Sequence, residues 1–215
     1  MATGISFGHF NIVAGVVRED GPYVVVLEDR SPAEALTDLY VVLEPARPGS
    51  EVFCPELLRV IDGQFGRPQY SLTGNLLQAL RAAQEHLRAW NKAAPPEQRA
   101  AVGTSCLAVS GAEAYLAQVG PGVAYLRHGG HLSRLEALET DAQAPLGTTL
   151  ACAPSFSRLL LSQGDTILLV SSSFAASVED ETTDLILSLP PGEALPEIYR
   201  LVRRESEFSA LYLAV

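Results

Sequence analysis

The most regular pattern in the chain is helical. Leu76, Leu77, Leu80, Ala83, His86 or Leu87, and Trp90 recur at three- and four-residue spacing, while Gln78, Arg81, Gln84, Glu85 and Arg88 fall on the opposite side. That stripe predicts an amphipathic helix with Ser71 or Thr73 as N-cap, ended by Asn91-Lys92-Ala93-Ala94-Pro95-Pro96. A shorter helix is predicted over residues 55–65, where Leu57, Leu58 and Ile61 share one side and Ser50-Glu51 offers a cap. Between residues 101 and 135 the period shortens, and apolar runs are broken by Ser110-Gly111 and His128-Gly129-Gly130, where hairpins need φ > 0. Gly120-Pro121-Gly122 is a different break: proline cannot donate to a ladder, and the flanking glycines let the backbone bend sharply. A meander of short strands is expected here.

Elsewhere, strand-like runs cover residues 5–17 and 23–27, separated by the turn Arg18-Glu19-Asp20-Gly21-Pro22. Residues 39–43 and 166–170 are wholly apolar, as expected for strands buried on both faces. Two prolines and a glycine keep residues 44–50 irregular. Residues 141–145 read as loop, 145–149 as a bend, 156–161 as a strand, and Ser162-Gln163-Gly164-Asp165 as a turn. Helices are expected over 182–189 and 195–204, and a last strand over 210–215. Strands, then two helices, then strands, then helices and one strand exclude regular β-α-β alternation. The order favours an α+β sandwich, helices covering antiparallel sheets.

Composition narrows the function classes. At 215 residues the chain suits one domain, 1–215, and 47% hydrophobic against 19% charged residues argues for a folded globule. A net charge of −10 argues against a nucleic-acid partner, which requires a cationic face. No run approaches the ~18 apolar residues of a membrane span, and the opening Met1-Ala2-Thr3 shows no secretory leader, so a cytoplasmic location is expected. Cys54, Cys106 and Cys152 lack C-x-x-C spacing and read as buried small hydrophobes. His86 reads as a core-edge residue, and His128 and His131 as exposed imidazoles of a hairpin turn. Ser171-Ser172-Ser173 follows a strand, but G-x-S-x-G is absent and no helix start is evident there.

Four pieces in order resemble a known family: Gly103-Thr104-Ser105, then residues 117–127 (AQVGPGVAYLR), then Pro145-Leu146-Gly147, then residues 164–171 (GDTILLVS). Together they resemble the metal-dependent protein phosphatases of the type 2C or PPM family over most of the chain. The resemblance implies a four-layer α-β-β-α sandwich of two antiparallel sheets flanked by helices. It also implies two Mn²⁺ or Mg²⁺ ions held by carboxylates at strand ends, activating a water for attack on phosphorus. Mapped onto this sequence, the acids fall on Asp20, Glu44, Pro121, Ser172 and Glu207, and the phosphate-binding arginine on Gly15. Asp20, Glu44 and Glu207 keep a carboxylate; Pro121 and Ser172 do not, and Phe208 replaces the asparagine after the last acid.

Two divalent ions side by side repel, and their carboxylates compensate that repulsion, so losing two of them weakens the site. The resemblance therefore implies a degenerate phosphatase-like domain, without a metal cofactor, acting as a binding or regulatory module in bacterial signalling. Its expected partner is a protein, such as a phosphoprotein or kinase. The alternative is an active Mn²⁺- or Mg²⁺-dependent phosphatase with a rearranged site built from Asp20, Glu44 and Glu207.

Overall fold

The computed structural model describes residues 4–28, 37–66, 71–135 and 143–215. The opening Met1-Ala2-Thr3 and the Asp141-Ala142 part of the expected loop lie outside these. Eleven strands are described: β1 (Ser6–Val13), β2 (Val16–Arg18), β3 (Val24–Leu27), β4 (Asp38–Pro45), β5 (Val102–Ser110), β6 (Glu113–Val119), β7 (Val123–His128), β8 (His131–Leu135), β9 (Ser155–Leu160), β10 (Thr166–Val170) and β11 (Glu207–Ala214). The helices are α1 (Cys54–Phe65), α2 (Leu72–Ala93), α3 (Ser172–Ser177), α4 (Asp180–Leu187) and α5 (Pro191–Val202). The strands form two sheets, ordered β2-β1-β11-β10-β7-β8 and β3-β4-β5-β6-β9, with antiparallel pairing throughout.

Three apolar layers make this a four-layer α-β-β-α sandwich. Leu57, Ile61, Leu76, Leu80 and Leu87 of α1 and α2 pack on Leu39, Val41, Leu43 and Cys106 of the five-stranded sheet. Val24, Tyr40, Val42, Leu107 and Val109 meet Ile167, Leu169, Leu211 and Leu213 between the sheets. Phe174, Ile186, Leu187, Ile198 and Val202 of α3 to α5 cover Phe10, Ile12, Leu168 and Tyr212. The expected strand over 166–170 is β10 itself, buried along its whole length because both faces are covered. Cys54 and Cys106 are buried and Cys152 partly so, all three free, as the small-hydrophobe reading requires. Burial pushes the thiol of Cys54 up to about 12 and that of Cys152 to about 11.

Several expectations are corrected. The run 5–17 is a hairpin, because Ala14 and Gly15 both adopt positive φ (51° and 76°) and close a two-residue turn between β1 and β2. Residues 101–135 are not one meander: β5 and β6 belong to one sheet, β7 and β8 to the other. The chain changes sheets at Gly120-Pro121-Gly122, the point where proline denies further pairing. Ser50 does not cap α1; a 3₁₀ turn, Glu51–Phe53, intervenes, and the Ser50 hydroxyl accepts from the amide of Ala101. Ser71 does cap α2, accepting from the Gly74 amide at 3.3 Å. The last two helices start earlier than expected. In α5, Pro191 sits in the first turn, where its missing N–H costs nothing.

Candidate functional site

Strand parity directs a set of polar residues into one end of the inter-sheet space. Tyr40 and Val42 of β4 face the other sheet, so Glu44, two residues on, continues that row. By the same rule Leu211 and Leu213 of β11 extend to Ser209 and Glu207, and Ile167 and Leu169 of β10 to Ser171. Asn11 of β1 lies opposite Ser209 in the ladder. Four strands from two sheets thus deliver carboxylates, hydroxyls and an amide to the same rim.

These groups bond to one another. The carboxylate of Glu44 accepts from the Ser172 amide at 2.9 Å and from the Ser172 hydroxyl at 2.5 Å. Ser172 opens α3, so this carboxylate sits where a helix N-terminus presents unpaired N–H groups. A helix does start after the strand here, correcting the sequence expectation: Ser171 has the extended backbone of an N-cap. Burial pushes the Glu44 carboxyl above its ordinary range, against the lowering effect of the two Ser172 hydrogen bonds. Glu207 is likewise engaged, accepting from the Ala14 amide at 2.9 Å and from the hydroxyl of Tyr23. Burial, then the hydrogen bond to Glu207, raises the Tyr23 phenol far above its usual value, so it stays a donor.

Ser209, fully buried, donates to the carbonyl of Leu43 at 3.0 Å, joining β11 of one sheet to β4 of the other. Its amide donates to the Ser171 hydroxyl at 3.0 Å, and the two hydroxyls lie 3.1 Å apart. Removing this hydroxyl leaves a buried carbonyl short of a partner, so Ser209→Ala should cost about 1–2 kcal/mol, a fall of roughly 4 °C in melting temperature for a chain of this size. Thermal unfolding followed by circular dichroism checks it.

Asp20 is placed differently. It is exposed in the bend after β2. That bend is tied down through Asn11, whose amide donates to the Glu19 carbonyl at 3.4 Å and whose side chain leaves no room for a Cβ on Gly21. Pro121 packs at the sheet crossover, where its Cδ comes within 2.9 Å of a Cβ built on Gly103. Gly15, the position of the expected phosphate arginine, is the second residue of the β1–β2 turn and donates its amide to the Ser206 carbonyl. Among the described residues no three His, Cys, Asp or Glu side chains converge as an ion would require. Beside Glu207 opens a cleft of about 410 Å³, lined by Pro45, Arg47, Glu51 and Ser206 among others.

Tyr23, Asn11 and Ser209 were not singled out from sequence, and Ser171 only as a strand-end serine. The period-2 row through Leu213, Leu211, Ser209 and Glu207 is the signal that points to Ser209. Nothing comparable marks Tyr23, which reads as an ordinary strand aromatic.

Two of the histidines have structural partners. His86 lies 3.5 Å from Glu56. His128, at the β7–β8 turn, places Nδ1 2.8 Å from Asp165 Oδ2, and that carboxylate also accepts from the Ser162 amide.

Solved structures share this architecture. A serine/threonine phosphatase of S. agalactiae superposes with a TM-score of 0.77 at 9% identity, covering 99% of this chain and 100% of its own. Stp1, a serine/threonine phosphatase from Staphylococcus aureus, gives 0.78 at 12%, covering 100% and 96%. The catalytic domain of PstP, a serine threonine protein phosphatase solved in complex with two manganese ions, gives 0.74 at 18%, covering 98% and 99%.

The fold is that of the PPM-type serine/threonine phosphatases. No protein-family model and no curated protein matches the chain in sequence, and identities this low speak to the fold alone.

The PPM-type fold makes a manganese pair the group to test against these side chains, and they do not fit it. Each carboxylate oxygen of Glu44 and Glu207 already accepts one protein hydrogen bond, and Asp20, the third expected ligand, is exposed in the bend after β2 and does not join them among the described residues. Pro121 offers no side-chain oxygen. Ser172 uses its hydroxyl as a donor toward Glu44. Two adjacent divalent ions need several free hard oxygens held at octahedral spacing. Among the described residues no helix is long and apolar enough to cross a membrane.

Proposed function

We propose that this chain is a pseudophosphatase, one domain spanning 1–215 that keeps the PPM-type sandwich without its hydrolytic chemistry and serves as a protein-binding module in bacterial signalling. The observation that carries the reading is the closed polar network. Glu44 is consumed by the start of α3 and Glu207 by Tyr23 and Ala14. Carboxylates that would hold cations instead join strand ends, a helix and a turn. Binding then falls to the clefts and rims of the sandwich. Three free thiols support a reducing compartment, the cytoplasm, and the organisms named for two of the neighbours are bacteria.

The test is hydrolysis of p-nitrophenyl phosphate with Mn²⁺ together with a thermal-shift titration of the ion. Turnover no faster than the protein-free blank is expected, and no rise in melting temperature. An ion bound at about 100 times its Kd would add about 2.7 kcal/mol, a rise of roughly 8 °C at this chain length. Mn²⁺-dependent turnover abolished by Asp20→Ala would instead establish a working site built from Asp20, Glu44 and Glu207.

A further inference from the structure

A second cleft, sharing no lining residue with the one beside Glu207, opens at the C-terminal end of α2. It holds about 290 Å³ and is lined by Arg88, Lys92, Arg99, Thr148 and Leu150, with no carboxylate in its lining. Three of the chain's 15 basic residues meet here, the only lysine among them, on a molecule of net charge −10. Lys92 and Arg99 are exposed and make no ion pair among the described residues. Arg88 spends one N–H on the Leu150 carbonyl at 3.0 Å, and the rest of its fork has no partner among the described residues.

The floor of this cleft is built rather than incidental. Buried Gln84 grips the loop twice, donating to the Thr149 carbonyl at 2.6 Å and accepting from the Gly147 amide at 2.7 Å. Buried Asn91 donates to the carbonyls of Ala100 and Gly147 at 2.7 and 3.0 Å and accepts from the Ala100 amide at 2.7 Å. Gly147 has φ +90°, and a Cβ there would lie 2.7 Å from the Ala100 carbonyl. Two polar side chains inside the protein therefore fix the loop that faces the three cations, so little ordering is left for a ligand to impose.

We propose that this cleft binds a phosphate monoester. Two guanidinium forks and an ammonium match a compact dianion better than a single carboxylate, since guanidinium donates to tetrahedral oxyanions in pairs. The volume is at the small end for a ligand pocket, enough for a phosphate and its ester stem. Leu150, 82% exposed at the rim, offers apolar contact to the carbon side of the ester. A polynucleotide would need a longer cationic track than these three residues provide. With no histidine or carboxylate in the lining, the cleft binds and does not turn its ligand over. The ester is carried on a phosphorylated side chain of a partner or on a small metabolite, and the chemistry recognised is the same.

The experiment is an amide NMR titration of the full chain with three probes. These are glycerol 3-phosphate, an acetylated five-residue peptide with one phosphoserine between two leucines, and the same peptide unphosphorylated. Both esters should shift the amides of Thr148, Thr149 and Leu150, and the unphosphorylated peptide should not. A peptide Kd about ten-fold or more below that of glycerol 3-phosphate assigns the ester to a protein partner, and the reverse order to a metabolite. The double charge reversal K92E/R99E, on two exposed side chains, should weaken either ester by about ten-fold or more while leaving the melting temperature in place. No saturable shift at either ester up to about 10 mM, well above the 1 mM benchmark of weak binding, overturns the proposal. So does equal binding of the two peptides, or binding that survives the charge reversal.

Discussion

Gly120→Ala is expected to lower the melting temperature by about 10 °C, from a loss of roughly 3–4 kcal/mol at 2–4 °C per kcal/mol. Two costs add. At φ +86° an alanine pays about 1 kcal/mol or more for the left-handed conformation. Its Cβ would also stand 2.9 Å from Gly103 Cα and 3.2 Å from Pro145 Cα. Both obstacles are backbone, so no side chain can swing aside, and the strain passes into the crossover between the two sheets. Gly111→Ala is the control: its φ is also positive, at 61°, but a Cβ there meets nothing within 4 Å, so only the conformational part is paid. Thermal unfolding of both variants beside the native chain reads the difference. A Gly120→Ala variant no less stable than Gly111→Ala would mean that the crossover is free to yield.

That crossover also marks where sequence reading stops. The glycine-proline-glycine break was visible, and its sharp bend follows from residue chemistry. What the bend does was not, because β5 to β8 carry the same short apolar period whichever sheet they join. The hairpin at Ala14-Gly15 was hidden for a different reason. Alanine seldom takes positive φ, and here the turn is held from outside, by the Glu207 carboxylate on the Ala14 amide and the Ser206 carbonyl on the Gly15 amide. Those partners lie about 190 residues away along the chain, beyond any local window. Helix α2 was legible nearly to its ends, because its stripe and its Ser71 cap are local.

The candidate site divides along the same line. Glu44 and Glu207 could be picked out only by mapping the family resemblance onto the sequence. Their bonding depends on where α3 begins and on the approach of Tyr23, both set by tertiary packing. Ser172 is the instructive residue. In sequence it stands where the resemblance expects an acid; in the fold it donates twice to the Glu44 carboxylate.

Glu44 accordingly carries the second large effect. Glu44→Ala strips the acceptor from two Ser172 donors at the start of α3 and should cost about 2–3 kcal/mol, a fall of roughly 4–12 °C. Glu44→Gln keeps an acceptor oxygen in nearly the same shape while removing the charge, and its effect depends on pH. Burial raises the folded carboxyl above its ordinary value, so between the unfolded and folded values the native state holds more protons than the unfolded one. Stability from this group is then fully present below the ordinary carboxylate range and declines as pH rises through the raised value. Glutamine does not titrate. The melting temperature of Glu44→Gln minus that of the native chain should therefore move upward from about pH 4 to pH 7, across the usual carboxylate midpoint, while Glu44→Ala stays below the native chain throughout. A difference that moves downward over that range would show an ionised Glu44 net stabilised in the fold, as a cation in the inter-sheet space would make it. Repeating the series with Mn²⁺ separates that cause from the Ser172 hydrogen bonds: only a bound ion makes the downward trend depend on the metal.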